Sequence, residues 1–153
     1  GVEVFPFSTM HDAAGSCGYR FALPDGQSCA VCTDLGCVTQ EVWDAVSGTD
    51  LVLLEANYDP EMLRNGPYPL YLQERIAGEE GHLSNFDSAG LAEQLIRSGT
   101  TRLVLGHLSQ NNNTMPLAER TVLTHLREEG MARNRDFLLQ VSSPEGLKQA
   151  VIF

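Results

Sequence analysis

Positive charge is scarce in this sequence: 10 Lys and Arg stand against 20 Asp and Glu, a formal net charge of -10 over 153 residues. A charge this acidic works against an electrostatic grip on nucleic acid by this chain alone, although its carboxylates suit a site that receives cations. Long apolar runs are lacking too. Leu51–Leu54 and Leu103–Leu105 fall far short of the roughly 20 residues that span a bilayer, and no basic-then-apolar stretch opens the chain. The expectation is a cytoplasmic protein with no membrane partner. Cysteine is limited to Cys17, Cys29, Cys32 and Cys37. Cys29 and Cys32 have CxxC spacing, but they sit in an extended apolar run whose side chains three apart point to opposite faces. Only Cys37 is close enough to help, so reduced, partly buried thiols are expected rather than a zinc knot. Repeats, low-complexity tracts and linkers are absent as well, leaving one domain or part of one; with 42% hydrophobic residues it can bury a core.

What is present alternates. VEVFPF reads as extended, and Gly18 to Leu23 with Gln27 to Thr33 bracket a hairpin turn at Asp25-Gly26. Thr39 caps a short helix, TQEVWDAVSG, closed by Gly48. The strand DLVLLEAN follows, then a helical excursion through PEMLRNG, PYP and LYLQERIAG. Asp87 opens the helix DSAGLAEQLIRSG, whose Leu91, Leu95 and Ile96 share a face. It leads to the strand TRLVLGHL, the helix PLAERTVLTHLREEG with Pro116 in its first turn, and the strand DFLLQV. AVIF offers one more short strand at the end. Strands alternating with helices predict layered α/β architecture.

Polar residues of chemical interest gather where predicted strands end. His11 and Asp12 follow VEVFPFSTM, Asp34 follows CAVCT, Glu55 and Asn57 follow LVLL, and His107 follows LVLG. Strand exits at one sheet edge are where α/β enzymes collect working groups, because strands fix each side chain while the loops vary. Imidazoles and carboxylates delivered this way suit Zn²⁺ or a similar ion. Each residue also has an ordinary reading. A strand-end histidine can be a hydrogen-bonded boundary residue, Asp34 can form an Asx-turn, and Ser84 or Asn85 can cap the helix after His82. His125, mid-helix among charges, reads as a solvated surface residue.

The order of the segments is more specific than any one of them. HDAAGSCGYRF, CTDLG, LLEANYDPEML with NGPYP, GHLSN and LVLGHLSQNN together resemble the C-terminal half of metallo-β-lactamase-fold hydrolases. The resemblance spans about residues 4 to 125, is greatest to the YycJ/WalJ-like branch, and extends more distantly to the tRNA 3′-processing endonucleases, tRNase Z. It implies half of a four-layer αββα sandwich with a two-metal site at one edge between the sheets. By motif, His11 is similar to the histidine that binds one metal, Asp34 to the carboxylate that bridges both, and His107 to the final histidine on the second. His82 is similar to the histidine placed beside the scissile phosphate to assist the leaving group. Glu55 matches the start of an acidic, histidine-containing segment near the site. Asp12, Ser84, Asn85 and Ser109 stand where supporting or substrate-contacting groups are expected.

Two departures accompany the resemblance. Tyr58 stands where relatives usually carry a histidine, and the superfamily's first metal motif, HxHxDH, occurs nowhere in the 153 residues. The chain is therefore expected to be a partial domain, 1–153, whose partner is an N-terminal half of the same fold. The implied activity is metal-dependent hydrolysis of a phosphodiester, with nucleic acid as substrate, through water acidified by two divalent ions such as Zn²⁺, Mn²⁺ or Fe²⁺. Hydrolysis of a small anionic or ester substrate is the alternative enzyme reading. An isolated, inactive half whose uncovered sheet face drives homo-oligomerisation is the alternative of another kind.

Overall fold

The computed structural model describes every residue except Lys148 and Phe153. Six strands form one sheet in sequence order: β1 (Glu3–Ser8), β2 (Cys17–Ala22), β3 (Ser28–Cys32), β4 (Leu51–Glu55), β5 (Arg102–Gly106) and β6 (Leu138–Val141). The first three pair antiparallel and the rest parallel. The change follows from the connections. A tight turn joins β2 to β3, where Gly26 takes φ 90, whereas each parallel step needs a crossover. Those crossovers hold α1 (Gln40–Val46), then α2 (Pro60–Asn65), α3 (Leu70–Ala77) and α4 (Asn85–Arg97), then α5 (Met115–Glu128).

The core lies on one face of this sheet. Ala30 and Cys32, Val52 and Leu54, and Leu103 and Leu105 alternate toward a layer made by Val42 and Val46 of α1, Leu91 and Leu95 of α4, and Val122 and Leu126 of α5. Burial of a side chain such as Leu54 or Leu105, each 0% exposed, stabilises the fold by about 1.5–3 kcal/mol. The intervening residues Cys29, Val31, Leu51 and Leu53 point the other way and stay half-buried, because the three core helices lie opposite. Central strands that are apolar on both faces belong between two layers.

Three local expectations need correction. Helix α4 starts at Asn85, not Asp87: the Ser84 hydroxyl accepts from the Asp87 N–H and the Asp87 carboxylate accepts from the Ser84 N–H, a reciprocal capping box. Residues 150–152 of AVIF form no strand, and Phe153 lies outside the described residues. His125 is not simply solvated; its Nε2 meets Glu93 at 2.8 Å, pinning α5 to α4. Among the described residues no helix is long and apolar enough to cross a membrane.

Candidate metal centre

The parallel strands β3, β4 and β5 end at the same edge, and their exits carry Asp34, Glu55 and His107. Glu55 continues the alternation of Leu51 and Leu53, so its carboxylate leaves β4 on the open side of the sheet. It is nevertheless fully buried, because four donors surround it. Oε2 accepts from the Asp34 N–H at 2.6 Å and from His107 Nδ1 at 2.8 Å; Oε1 accepts from the Leu83 N–H at 2.8 Å and from His82 Nδ1 at 3.2 Å. Burial pushes this carboxyl upward, but the hydrogen bonds from His107, His82 and Asp34 prevail and hold it below its ordinary value. In return the Glu55 hydrogen bond raises the His107 imidazole, against the opposing effect of burial.

These bonds also fix the tautomers. A carboxylate only accepts, so Nδ1 of His82 and of His107 carries the proton. His11 obeys the same logic, its Nδ1 donating to the Gly81 carbonyl at 2.9 Å. All three rings thus have Nδ1 anchored, which leaves Nε2 as the free nitrogen of each. The rings stand in a row, with His82 centred 4.9 Å from His11 and 5.2 Å from His107. Asp34 Oδ1 faces two of them, 3.5 Å from Nε2 of His11 and 3.6 Å from Nε2 of His107. Imidazoles oriented by a partner on Nδ1 and meeting a carboxylate on Nε2 are the donor set of a Zn²⁺-like ion with its outer support in place.

Asp34, Glu55, His82 and His107 each offer a ligand atom, all within 4.8 Å of one another. Glu55 is the member whose oxygens are already fully engaged, which makes it the support of the cluster. His11 stands outside this group of four but reaches Asp34 Oδ1 with its Nε2 at 3.5 Å. Two of these residues hold a left-handed backbone, Asp34 at φ 58 and His107 at φ 56, a conformation that costs an L-residue about 1–2 kcal/mol and often marks functional sites.

Of the remaining sequence-derived candidates, Asp12 lies beside His11, with Oδ1 3.7 Å from its Nε2, and pairs with Arg75. Ser84 and Asn85 do not face the site: Ser84 is consumed by the cap, and Asn85 is wholly buried against Asn113 at 3.0 Å. Both are buried and hydrogen-bonded within the fold. Ser109 accepts N–H groups of Asn111 and Asn112, closing the loop that leaves His107. Asn57, noted at a strand exit without a role, supports the His107 turn. Its Nδ2 donates to the His107 carbonyl at 2.8 Å, securing the left-handed turn, and Asn113 donates to the carbonyls of Ala56 and Asn57. Arg75 gave no signal in the sequence, because its partner is 63 residues away. Tyr58 is buried and pushed up to about 12, chiefly by desolvation, so it packs where relatives are expected to place a histidine.

Comparison with known proteins places this geometry. The model of the beta-lactamase superfamily domain matches residues 1–108. An exodeoxyribonuclease WalJ of Streptococcus pneumoniae is 35% identical over 144 residues, covering 94% of this chain and 53% of that protein. An exodeoxyribonuclease YycJ of Bacillus anthracis is 33% identical, covering 94% and 54%. The chain thus spans about half the length of the curated relatives it matches. Among solved structures, zinc-bound PqqB of Methylobacterium extorquens superposes with a TM-score of 0.58 at 19% identity, over 96% of this chain and 46% of that one. A diphosphatase of the PhnP family gives 0.52 at 19% identity, over 96% and 42%. Sequence and fold agree: this chain belongs to the beta-lactamase superfamily.

Proposed function

We propose that the chain carries one half of the active edge of a metal-dependent phosphodiesterase acting on DNA, with His11, Asp34 and His107 as ligands of two divalent ions. The carrying observation is the three-ring row in which every Nδ1 is anchored and Asp34 faces two Nε2 atoms. Its relatives' exodeoxyribonuclease names supply the substrate class. When bound, such ions acidify water and neutralise charge on a phosphoryl oxygen. Asp34 would set their separation, His11 and His107 would each anchor one, and Glu55 would keep His107 in the ligating tautomer. His82, held through Nδ1 by Glu55, would turn Nε2 toward the departing oxygen and, when protonated there as well, as an imidazolium, would give that proton to it and return to the neutral Nδ1–H form. The open sheet face of Val31, Leu51 and Leu53 would be covered by a second sheet layer, the other half of the fold, which would bring the remaining ligands. A cytoplasmic setting suits the four free thiols.

The acidity of the chain favours the competing reading, a small anionic substrate. Cleavage by the intact protein of single-stranded DNA, duplex DNA and a simple phosphodiester, with Mn²⁺ or Zn²⁺, separates the two. Turnover of DNA is expected; turnover of the simple ester alone would sink the nuclease reading. The inactive-half reading is addressed by metal content: tight, stoichiometric binding of two ions by residues 1–153 alone would overturn the shared-site arrangement.

A further inference from the structure

Helix α3 does not behave as a core element. None of its eight residues is buried, Leu70 and Tyr71 are 68% and 71% exposed, and the Arg75 side chain is 62% exposed. Most helical stability comes from packing an apolar face, and here that face is thin, with Leu72 and Ile76, one turn apart, only half-buried, so packing alone gives little reason for the helix. Its placement supplies one. The α2–α3 excursion starts at the His107 loop, where the Asp59 N–H donates to the Asn112 carbonyl at 2.8 Å and the Tyr68 hydroxyl accepts from Asn111 at 2.8 Å. It finishes at the His11 loop, where Arg75 pairs with Asp12 and the His82 N–H donates to the Ile76 carbonyl at 2.9 Å. The excursion therefore runs along the rim of the metal centre from one ligand loop to the other.

Arg75 lines a small cavity together with His11, Asp12 and His82. Another cavity borders His107 and is lined by neutral side chains such as Ser109, Gln110 and Thr114. Among the described residues lining these two cavities, Arg75 is the one Lys or Arg. In a chain with a net charge of -10, a guanidinium at that position stands out, because its planar fork recognises phosphate. Tyr71 precedes it by four residues, one turn away on the same side of α3, and presents a ring to solvent.

We propose that the rim of α3 binds the substrate strand, Arg75 taking a backbone phosphate next to the scissile one and Tyr71 stacking on an unpaired base at the end of the DNA strand. This rests on the nuclease reading above and narrows its substrate to an unstacked terminal nucleotide. Phosphate contacts position a strand and aromatic faces hold bases without regard to sequence. Asp12 keeps the guanidinium extended toward the metal edge before substrate arrives.

The test compares steady-state cleavage of a short single-stranded oligodeoxynucleotide and of methyl p-nitrophenyl phosphate by the intact protein and its variants. Tyr71→Ala and Arg75→Ala should each raise KM for the oligonucleotide about tenfold, with kcat changed by less than about twofold. Tyr71→Phe, which keeps the ring, should restore KM. Arg75→Ala should also flatten the salt dependence of binding by about 0.7 in the log–log slope. Urea midpoints of the variants within the error of the parent's establish that a change in KM is not a folding defect. If DNA is cleaved and KM is unchanged in both alanine variants, the rim proposal fails and the nuclease reading stands. If only the small ester is cleaved, the nuclease reading fails and takes this proposal with it.

Discussion

The two ends of the parallel sheet solve the same problem differently. At the end where β4 and β5 begin, the chain returns from α1 and α4 through left-handed residues that are glycines, Gly48 at φ 67 and Gly99 at φ 114, and the Asp50 carbonyl accepts the N–H groups of Thr101 and Arg102. At the end where these strands finish, left-handed positions are occupied by Asp34 and His107, and a buried carboxylate sits among them. The first end uses glycine, which turns at no steric cost, before β4 and β5, and before β6 an asparagine, Asn134 at φ 66, a type that tolerates this region; the other end places a histidine and an aspartate there beside a buried charge. Fold stability alone gives no reason for the second choice, so the difference identifies which end is kept for chemistry.

Removing the hub of the strained end should have the largest effect. Glu55→Ala leaves four donors without an acceptor, and a loss of about 3–5 kcal/mol in urea unfolding is expected. A stability equal to the parent's would show that the hub is not structural. Glu55→Gln retains acceptor capacity and should lose less, yet weaken Zn²⁺ binding by the roughly 10- to 100-fold typical of a lost ligand partner, read by competition with a chromophoric chelator. The hub also sets a pH dependence for the metal-free chain. The Glu55 carboxyl is held below its ordinary 4.5, so its contribution is present above that value and is lost as pH falls through the lower folded-state pKa. His107 is raised above 6.5, so its contribution is complete below 6.5 and is lost as pH rises through the higher folded-state pKa. The difference in urea midpoint between the parent and Glu55→Gln should therefore be widest between 4.5 and 6.5 and narrow on both sides. A pH-independent difference would contradict the pair.

Opposite substitutions at the two ends should move stability in opposite directions. Gly48→Ala forces a side chain into a left-handed turn and should cost about 1–2 kcal/mol. Asp34→Gly relieves the same conformation, keeps the N–H that Glu55 accepts, and removes a carboxylate near a buried one. A gain of about 0.5–1 kcal/mol is expected in the absence of metal, net of the extra freedom glycine gives the unfolded chain, together with loss of metal binding. Should Asp34→Gly destabilise the metal-free chain, the idea that this end stores strain for function would fall.

These contrasts were only partly visible in the sequence. Strand exits could be read from apolar runs stopping at Glu55 and His107, and motif order assigned Asp34, His11 and His107 to metal. Local signals also gave the Thr39 cap of α1 and the turn at Asp25-Gly26. The hub was not legible, because the donors around Glu55 come from Asp34, His82, Leu83 and His107, brought together only by the parallel stacking of β3, β4 and β5. Arg75 was hidden for the same reason, and the left-handed backbone at Asp34 has no marker when the residue is not glycine. The start of α4 was misread by two residues because Ser84 and Asp87 both suit a first turn, and only the reciprocal hydrogen bonds decide between them.

The smallest effect probes whether the strained end opens by itself. Cys32 ends β3 two residues before Asp34, is fully buried, and has its thiol pushed up to about 12 by desolvation, with Glu55 adding to the shift. Cys17 is exposed and should react first with a thiol reagent at pH 8, whereas Cys32 should react only when the chain opens around it. If the two ends form separate units of stability, a substitution that loosens the Glu55 hub will speed Cys32 labelling well before global unfolding. Gly48→Ala will speed it only in proportion to its loss of global stability. Equal acceleration by two variants matched in urea midpoint would mean that the sheet opens as one unit and that the strain at Asp34 and His107 is shared by the whole core. Acceleration confined to the Glu55 variant would locate it at the metal edge, where closing on an ion would return the stability that the ligands' backbone geometry withholds.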